Sequence, residues 1–268
     1  MKLGIIGFGH LASAFAEGIL ESGVLKNDRI MITSLTEETR NSAEAKYGIK
    51  SYSSNKELAT NCDYIIISVK PHQYRDIINE IADSLKKDTV IISFLAGTKL
   101  AQLEECLPEK TKLTRVMPNI AMAVRESLTT ICPNENMTEA EVSEVIKLFE
   151  GVGKVIRATE DELEKISAVS SSGLGFVGYL LNAFELATEE LGLPADLKEL
   201  ISTQTFQGAV STVQNTDITS KQLSDKVATK GGSTIEGLYV LMDHHVDVNI
   251  VKAVSASFNK LSELSKKK

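Results

Sequence analysis

The chain is short of cysteine, of basic clusters and of long apolar runs, and each shortage excludes a class of function. Its three cysteines, Cys62, Cys106 and Cys132, are odd in number and lack the spacing of a metal site, so neither a disulfide framework nor a zinc site has support and a reducing cytoplasm is expected. Basic residues number 29 against 36 acidic ones, a net charge of −7, with no basic block apart from the closing Lys266-Lys267-Lys268, which argues against nucleic acid as a partner. No segment reaches the ~18 consecutive apolar residues of a membrane span. Lys2 leads straight into a strand-like run rather than into a cleavable leader. What is there, 268 residues of which 43% are hydrophobic, suffices for one large or two ordinary globular domains handling a small molecule.

The apolar run Leu3 to Ile6 breaks into Gly7-Phe8-Gly9-His10-Leu11-Ala12 and then into a helical pattern. A strand, a tight turn and a helix start in that order suit the pyrophosphate of a dinucleotide. Gly7 permits the turn, Gly9 lets phosphates approach bare backbone amides, and Ala12 keeps helix and strand in contact. The helix start adds partial positive charge and unpaired N–H groups, and His10 fills space beside the phosphates.

Strand-like runs recur at Ile30–Thr33, Tyr64–Val69, Val90–Phe94, Lys112–Val116, Leu128–Cys132 and Lys154–Arg157, alternating with helical patterns. The alternation predicts an α/β chain: an N-terminal Rossmann-like, doubly wound parallel sheet over residues 1–158, then an all-α C-terminal domain over 159–268. Ile65-Ile66-Ile67 and Val90-Ile91-Ile92 are apolar on both faces, as strands covered by helices on both sides must be. Their C-terminal ends are expected to form the ligand crevice. The stretches Phe176 to Leu191 and Ile250 to Leu261 carry much apolar surface for their length, so a homodimer or larger homo-oligomer through the C-terminal helices is expected.

Ser68-Val69-Lys70-Pro71, Ser93-Phe94-Leu95-Ala96-Gly97-Thr98 and Arg115-Val116-Met117-Pro118-Asn119 close three of the strands, and Thr229-Lys230-Gly231-Gly232-Ser233-Thr234 lies late in the helical domain. In this order, behind an N-terminal Gly-x-Gly, the segments resemble the pyrroline-5-carboxylate reductase family over essentially the full length. The strongest single match is Gly231 to Leu238. The resemblance implies a reductase that moves hydride from a reduced nicotinamide to the C=N carbon of a cyclic imino acid, giving proline. A protonated imine is already electrophilic, so positioning and electrostatics suffice without a metal or a covalent nucleophile.

Carried onto this chain, the resemblance has the loop Gly231-Gly232-Ser233-Thr234 hold the substrate carboxylate on successive backbone N–H groups at a helix start, with Thr229 a further substrate contact. Thr234 becomes the expected catalytic residue, donating a hydrogen bond to the imine nitrogen. Asp217 falls where the family has a carboxylate near that nitrogen, although an aspartate in this context equally caps the next helix. Gly7, Phe8, Gly9, His10, Leu11, Ala12, Ser34, Thr36, Val69, Lys70, Pro71, Ala96, Gly97 and Asn119 become cofactor contacts. Lys70 and Pro71 also read as a plain strand end and helix start.

Some positions depart from the family pattern. Ser171-Ser172-Gly173-Leu174-Gly175-Phe176 stands for Gly-Ser-Gly-Pro-Ala-Tyr and is read as a turn facing the nicotinamide, without its proline and its tyrosine hydroxyl. Lys230 replaces a proline and Ile120-Ala121 a Thr-Pro pair. These changes keep two alternatives open: a reductase of another imino acid, and a non-catalytic NADPH-binding regulatory protein. A β-hydroxyacid dehydrogenase is disfavoured because Gly173 to Glu185 contains no lysine. Thr33-Ser34-Leu35-Thr36 offers no acidic residue to grip an NAD ribose, and the hydroxyls of Ser34 and Thr36, with Arg40, favour NADP(H) over NAD(H). His72, His244 and His245 read as surface residues, the last two on a helix, and Ser170, Ser171 and Ser172 as a cap or turn, since no nucleophile elbow accompanies them.

Overall fold

The structure is a computed structural model that describes residues 1–266. An eight-stranded sheet is built from β1 (Leu3–Ile6), β2 (Ile30–Thr33), β3 (Lys50–Tyr52), β4 (Tyr64–Ile67), β5 (Val90–Ser93), β6 (Lys112–Met117), β7 (Ser127–Pro133) and β8 (Gly153–Arg157). Helices α1 (His10–Ser22), α2 (Glu37–Tyr47), α3 (Asn55–Asn61), α4 (Tyr74–Ile81), α5 (Leu100–Glu104) and α6 (Glu139–Glu150) connect the strands. Beyond them come α7 (Glu160–Glu190), α8 (Lys198–Asn215), α9 (Ser220–Val227), α10 (Ser233–Asp243) and α11 (Val246–Lys266).

Strand order is β3-β2-β1-β4-β5-β6-β7-β8, so the chain leaves β1 in one direction and later returns to its other side at β4. That reversal opens a crevice at the C-terminal ends of β1 and β4, the usual ligand position in open α/β sheets. Every residue of β1, β2, β4 and β5 is buried, and successive side chains feed two separate cores. Leu3, Ile5, Ile32, Ile66 and Ile92 pack with Phe15 and Ile19 of α1 and Val145 and Phe149 of α6. Ile6, Ile65, Ile67 and Ile91 pack with Leu58 of α3, Ile78 of α4 and Leu103 of α5. Each fully buried side chain of this size contributes about 1.5–3 kcal/mol relative to exposure, so a two-sided core is the dominant stabilising term.

Three features differ from the sequence expectation. The edge strand β3 was absent from it because Lys50-Ser51-Tyr52 is short, polar and without an apolar run. β7 runs antiparallel to β6, not parallel, because the connection through Asn119 and a single 3-10 turn is too short to hold a crossover helix. Ser171 to Phe176 is no turn: the segment lies inside the uninterrupted helix α7, where Ser170 and Ser171 are tied to the end of β6.

The chain divides into two compact units, residues 1–171 together with the stretch from Ser257 onward, and Ser172–Ala256. The first contains the whole sheet and its helices. In the second, Thr188 and Ser202 are the only buried residues, and no apolar side chain between 172 and 256 is buried by this single chain. Tyr179, Phe184, Leu186, Val240, Leu241 and Met242 are all exposed.

Candidate active site

In the first unit, hydrogen bonds extend the sheet past its strand ends and bring predicted cofactor residues side by side. Gly7 N donates to Thr33 O at 3.1 Å, Ser68 N to Ile6 O at 2.8 Å and Phe94 N to Ile67 O at 3.0 Å. Gly7 has φ +88°, and a Cβ built on it would meet Ser68 O at 2.5 Å and Val69 Cγ1 at 2.7 Å, so the turn admits only glycine. Gly9 is different. It caps α1 in an extended conformation, and a Cβ on it would meet nothing within 4 Å.

Open space therefore lies in front of the α1 start, whose first N–H groups have no side-chain cap, whereas Thr36, Ser54, Thr138 and Thr219 cap α2, α3, α6 and α9. An uncapped helix N-terminus beside bare backbone fits a pyrophosphate. Phe8 and Leu11 are partly buried against the first core, Ala12 lies fully buried within it, and His10 is exposed.

At the end of β2, Ser34 is half-buried and its carbonyl accepts from Arg40 Nη1 at 2.7 Å, which folds the guanidinium back under the loop. Thr36 is occupied as the cap of α2, its hydroxyl accepting from Thr39 N at 3.3 Å. After β4, Val69 is half-buried, Lys70 is exposed, and Pro71 starts a single 3-10 turn before α4. After β5, Ala96 is half-buried and Gly97 buried, with φ +69°. Asn119 is buried and structurally engaged: Oδ1 accepts from Ala121 N at 3.0 Å and Nδ2 donates to Ser170 O at 3.2 Å. Burial pushes the nearby Cys132 thiol up, which suits an inert core residue better than a nucleophile.

In the second unit, Gly231 has φ +75° and Gly232 caps α10 without a side-chain hydrogen bond. Gly232 N donates to Thr229 O at 2.9 Å, and a Cβ on Gly232 would come within 2.7 Å of Thr229 Oγ1. Thr229 thus shapes the loop, and Ser233 and Thr234 occupy the first turn of α10 with exposed side chains. Thr234 borders a cavity of about 510 Å³ lined also by Phe184, Thr212, Leu223 and Val227. Phe184 is held there edge-on by Phe206, with ring centroids 5.1 Å apart. Asp217 lies in the exposed α8–α9 loop, and among the described residues no hydrogen bond or ion pair joins it to Thr229 or Thr234. Thr219, not Asp217, caps α9. His244 ends α10 and His245 follows with φ +52°, so the pair does not share a helix face.

Two family models match: pyrroline-5-carboxylate reductase dimerisation over residues 160–264, and NADP oxidoreductase, coenzyme F420-dependent, over residues 2–97. A pyrroline-5-carboxylate reductase of Glycine max is 32% identical over 98% of this chain and 96% of its own length. The chain belongs to the pyrroline-5-carboxylate reductase family. Family members are NAD(P)H-dependent oxidoreductases, and so is this protein. The pyrroline carboxylate reductase of Plasmodium falciparum, solved with NADP bound, superposes with a TM-score of 0.93 at 28% identity, covering 99% of this chain and 98% of that one. The family's enzyme from Coxiella burnetii gives 0.88 at 29% identity, covering 99% of both chains.

One strong feature near these loops went unread in the sequence. Arg115, in the fully buried stretch of β6 from Leu113 to Met117, belongs to a buried ion cluster.

Proposed function

We propose that this protein reduces pyrroline-5-carboxylate to proline, with residues 1–158 holding the dinucleotide and 159–268 the substrate and the subunit contact. The observation that carries the proposal is the glycine-edged, uncapped start of α10 with a threonine hydroxyl in its first turn. Such a helix start favours a carboxylate. Gly231, Gly232 and Ser233 bind that group, Thr229 supports the loop, and Thr234 donates its hydroxyl hydrogen bond to the imine nitrogen. A threonine is too weak an acid to protonate the nitrogen unaided, so its hydroxyl orients the neutral imine as a donor and, once water has supplied the proton, accepts the hydrogen bond from the iminium N–H. Asp217 contributes a negative charge that favours the iminium.

The bound reduced nicotinamide supplies the hydride that the C=N carbon accepts. The turn from Gly7 to Ala12 holds the pyrophosphate, and Ser34 and Arg40 hold a ribose 2′-phosphate, which makes NADP(H) preferred over NAD(H). Thr36 acts there through the cap that starts α2. Val69, Lys70, Pro71, Ala96 and Gly97 border the nicotinamide half, and Asn119 shapes that border through its bonds to Ala121 and Ser170. The test is product: one proline formed per NADPH consumed by purified protein, with no proline counting against the proposal. Lys230, exposed beside Gly231, favours a second reading in which a bulkier imino acid is the substrate.

The protein works as a homo-oligomer, because a helical unit with no buried apolar side chain of its own requires a partner surface. Sedimentation velocity is expected to give at least two chains per particle, and a single-chain mass overturns this. Three free cysteines suit the cytoplasm. No helix among the described residues is long and apolar enough to cross a membrane.

A further inference from the structure

Arg115 is among the largest fully buried side chains of the protein, 1% exposed, in the middle of a strand. Its Nη1 donates to Glu160 Oε1 at 2.8 Å and lies 3.5 Å from Glu164 Oε1, both on the first turns of α7. Its Nε and Nη2 find no hydrogen-bond partner among the described residues. A guanidinium so placed pays a large desolvation cost, and an apolar residue of similar volume is often as stable or more so. Stability alone therefore does not account for the residue.

The position of the partner carboxylate does. Glu160 Oε1, the oxygen that takes the Arg115 hydrogen bond, also accepts from Leu100 N at 2.8 Å, the amide at the end of the loop that carries Ala96 and Gly97. Three turns further along α7, Ser170 O accepts from Asn119 Nδ2 at 3.2 Å and Ser171 Oγ donates to Pro118 O at 3.0 Å. The first half of α7 is thereby fastened at one end to the loop after β5 and at the other to the loop after β6. Arg115 lies between these attachments, paired in register with Cys132, which packs with Met117 and Leu163.

We propose that Arg115 and Glu160 are positioning residues: the buried ion pair fixes Glu160, and Glu160 fixes the Ala96–Gly97 loop against which the nicotinamide half of the cofactor is read to bind. This rests on the dinucleotide assignment made above, and neither side chain touches the reacting atoms.

The test compares Glu160→Ala with Glu160→Gln, because glutamine keeps an oxygen for Leu100 N–H and alanine does not. Lys112→Met is the control. It breaks a second ion cluster on the same strand, where Lys112 Nζ lies 2.8 Å from Asp88 and 2.6 Å from Glu141. Hydrogen exchange of the segment 94–103 needs no ligand and no turnover. Glu160→Ala removes the acceptor of both Leu100 N–H and Arg115 and is expected to speed exchange there about tenfold and to weaken NADPH binding and raise its KM by about the same factor. Glu160→Gln restores most of both, and Lys112→Met lowers the melting temperature without moving either. Unchanged exchange in Glu160→Ala overturns the proposal, and so does faster exchange with unchanged NADPH affinity, which would make the clasp structural only. If the parent binds NADPH but reduces no imino acid, the substrate assignment fails while the clasp is still judged by exchange and affinity. A parent that binds no nucleotide overturns both.

Discussion

Gly9→Val is expected to fold like the parent and to lose dinucleotide binding. The backbone at Gly9 is extended, with φ −93° and ψ −166°, a conformation that any L-residue adopts, and an added Cβ meets nothing within 4 Å. The melting temperature is therefore expected to stay close to that of the parent. The same open space, however, is where the proposed pyrophosphate site faces the uncapped N–H groups of α1, and a branched side chain fills it. Affinity for NADPH, followed by the cofactor's fluorescence, is expected to fall by at least about 100-fold, or roughly 2.7 kcal/mol. Unchanged affinity in a folded variant would remove the dinucleotide from this turn. Gly7 offers no such test: at φ +88° and with a backbone oxygen 2.5 Å from any Cβ, its substitution disturbs the turn itself.

The second large effect is expected at Thr234. The side chain is exposed in the first turn of α10, and alanine is the best helix former, so Thr234→Ala has no reason to unfold the protein. Among the described residues the Thr234 hydroxyl makes no hydrogen bond within the chain, which leaves it available to a substrate. Removing a hydroxyl proposed to engage the reacting nitrogen is expected to lower kcat by about 100-fold, the scale seen when a positioned donor is deleted. The NADPH dissociation constant is expected to stay put, and Thr234→Ser to recover most of the rate. Equal turnover by parent and alanine variant would take Thr234 out of the mechanism.

Much of the first unit was legible because its signals are local. An apolar run, two glycines and an alanine at fixed spacing describe one strand, one turn and one helix, and Leu3 to Ala12 fold that way. The isoleucine runs of β4 and β5 likewise announced strands covered on both faces. Features that depend on distant partners were not legible. β3 exists because Met31, Ile32 and Thr33 offer an edge, not because Lys50-Ser51-Tyr52 demands to be a strand. Serines and glycines from Ser170 to Gly175 are poor helix formers, yet α7 runs through them, since helix propensity is a weak prior that tertiary attachment overrides. Two of those attachments, Ser170 to Asn119 and Ser171 to Pro118, join residues far apart in sequence.

The candidate site divides in the same way. The uncapped start of α10 agrees with Gly231-Gly232-Ser233, since glycines before a helix leave its N–H groups bare, while the substrate role proposed for it comes from the family resemblance. The roles of Asn119 and Thr36 were not, because their residue types suit a cofactor contact and a cap equally, and only the partners Ala121, Ser170 and Thr39 decide. The cluster of Arg115 with Glu160 and Glu164 was hidden for a further reason: its charges are separated along the chain and meet only when α7 packs on β6.

The most direct test of the whole account is the rate of NADPH and NADH oxidation, followed by absorbance, when purified protein meets pyrroline-5-carboxylate or its six-membered ring analogue. The account predicts rapid oxidation with the five-membered ring, faster with NADPH than with NADH, and slower turnover of the larger ring. Silence with both rings, in protein that binds NADPH, would contradict it and leave a nucleotide-binding protein without this chemistry.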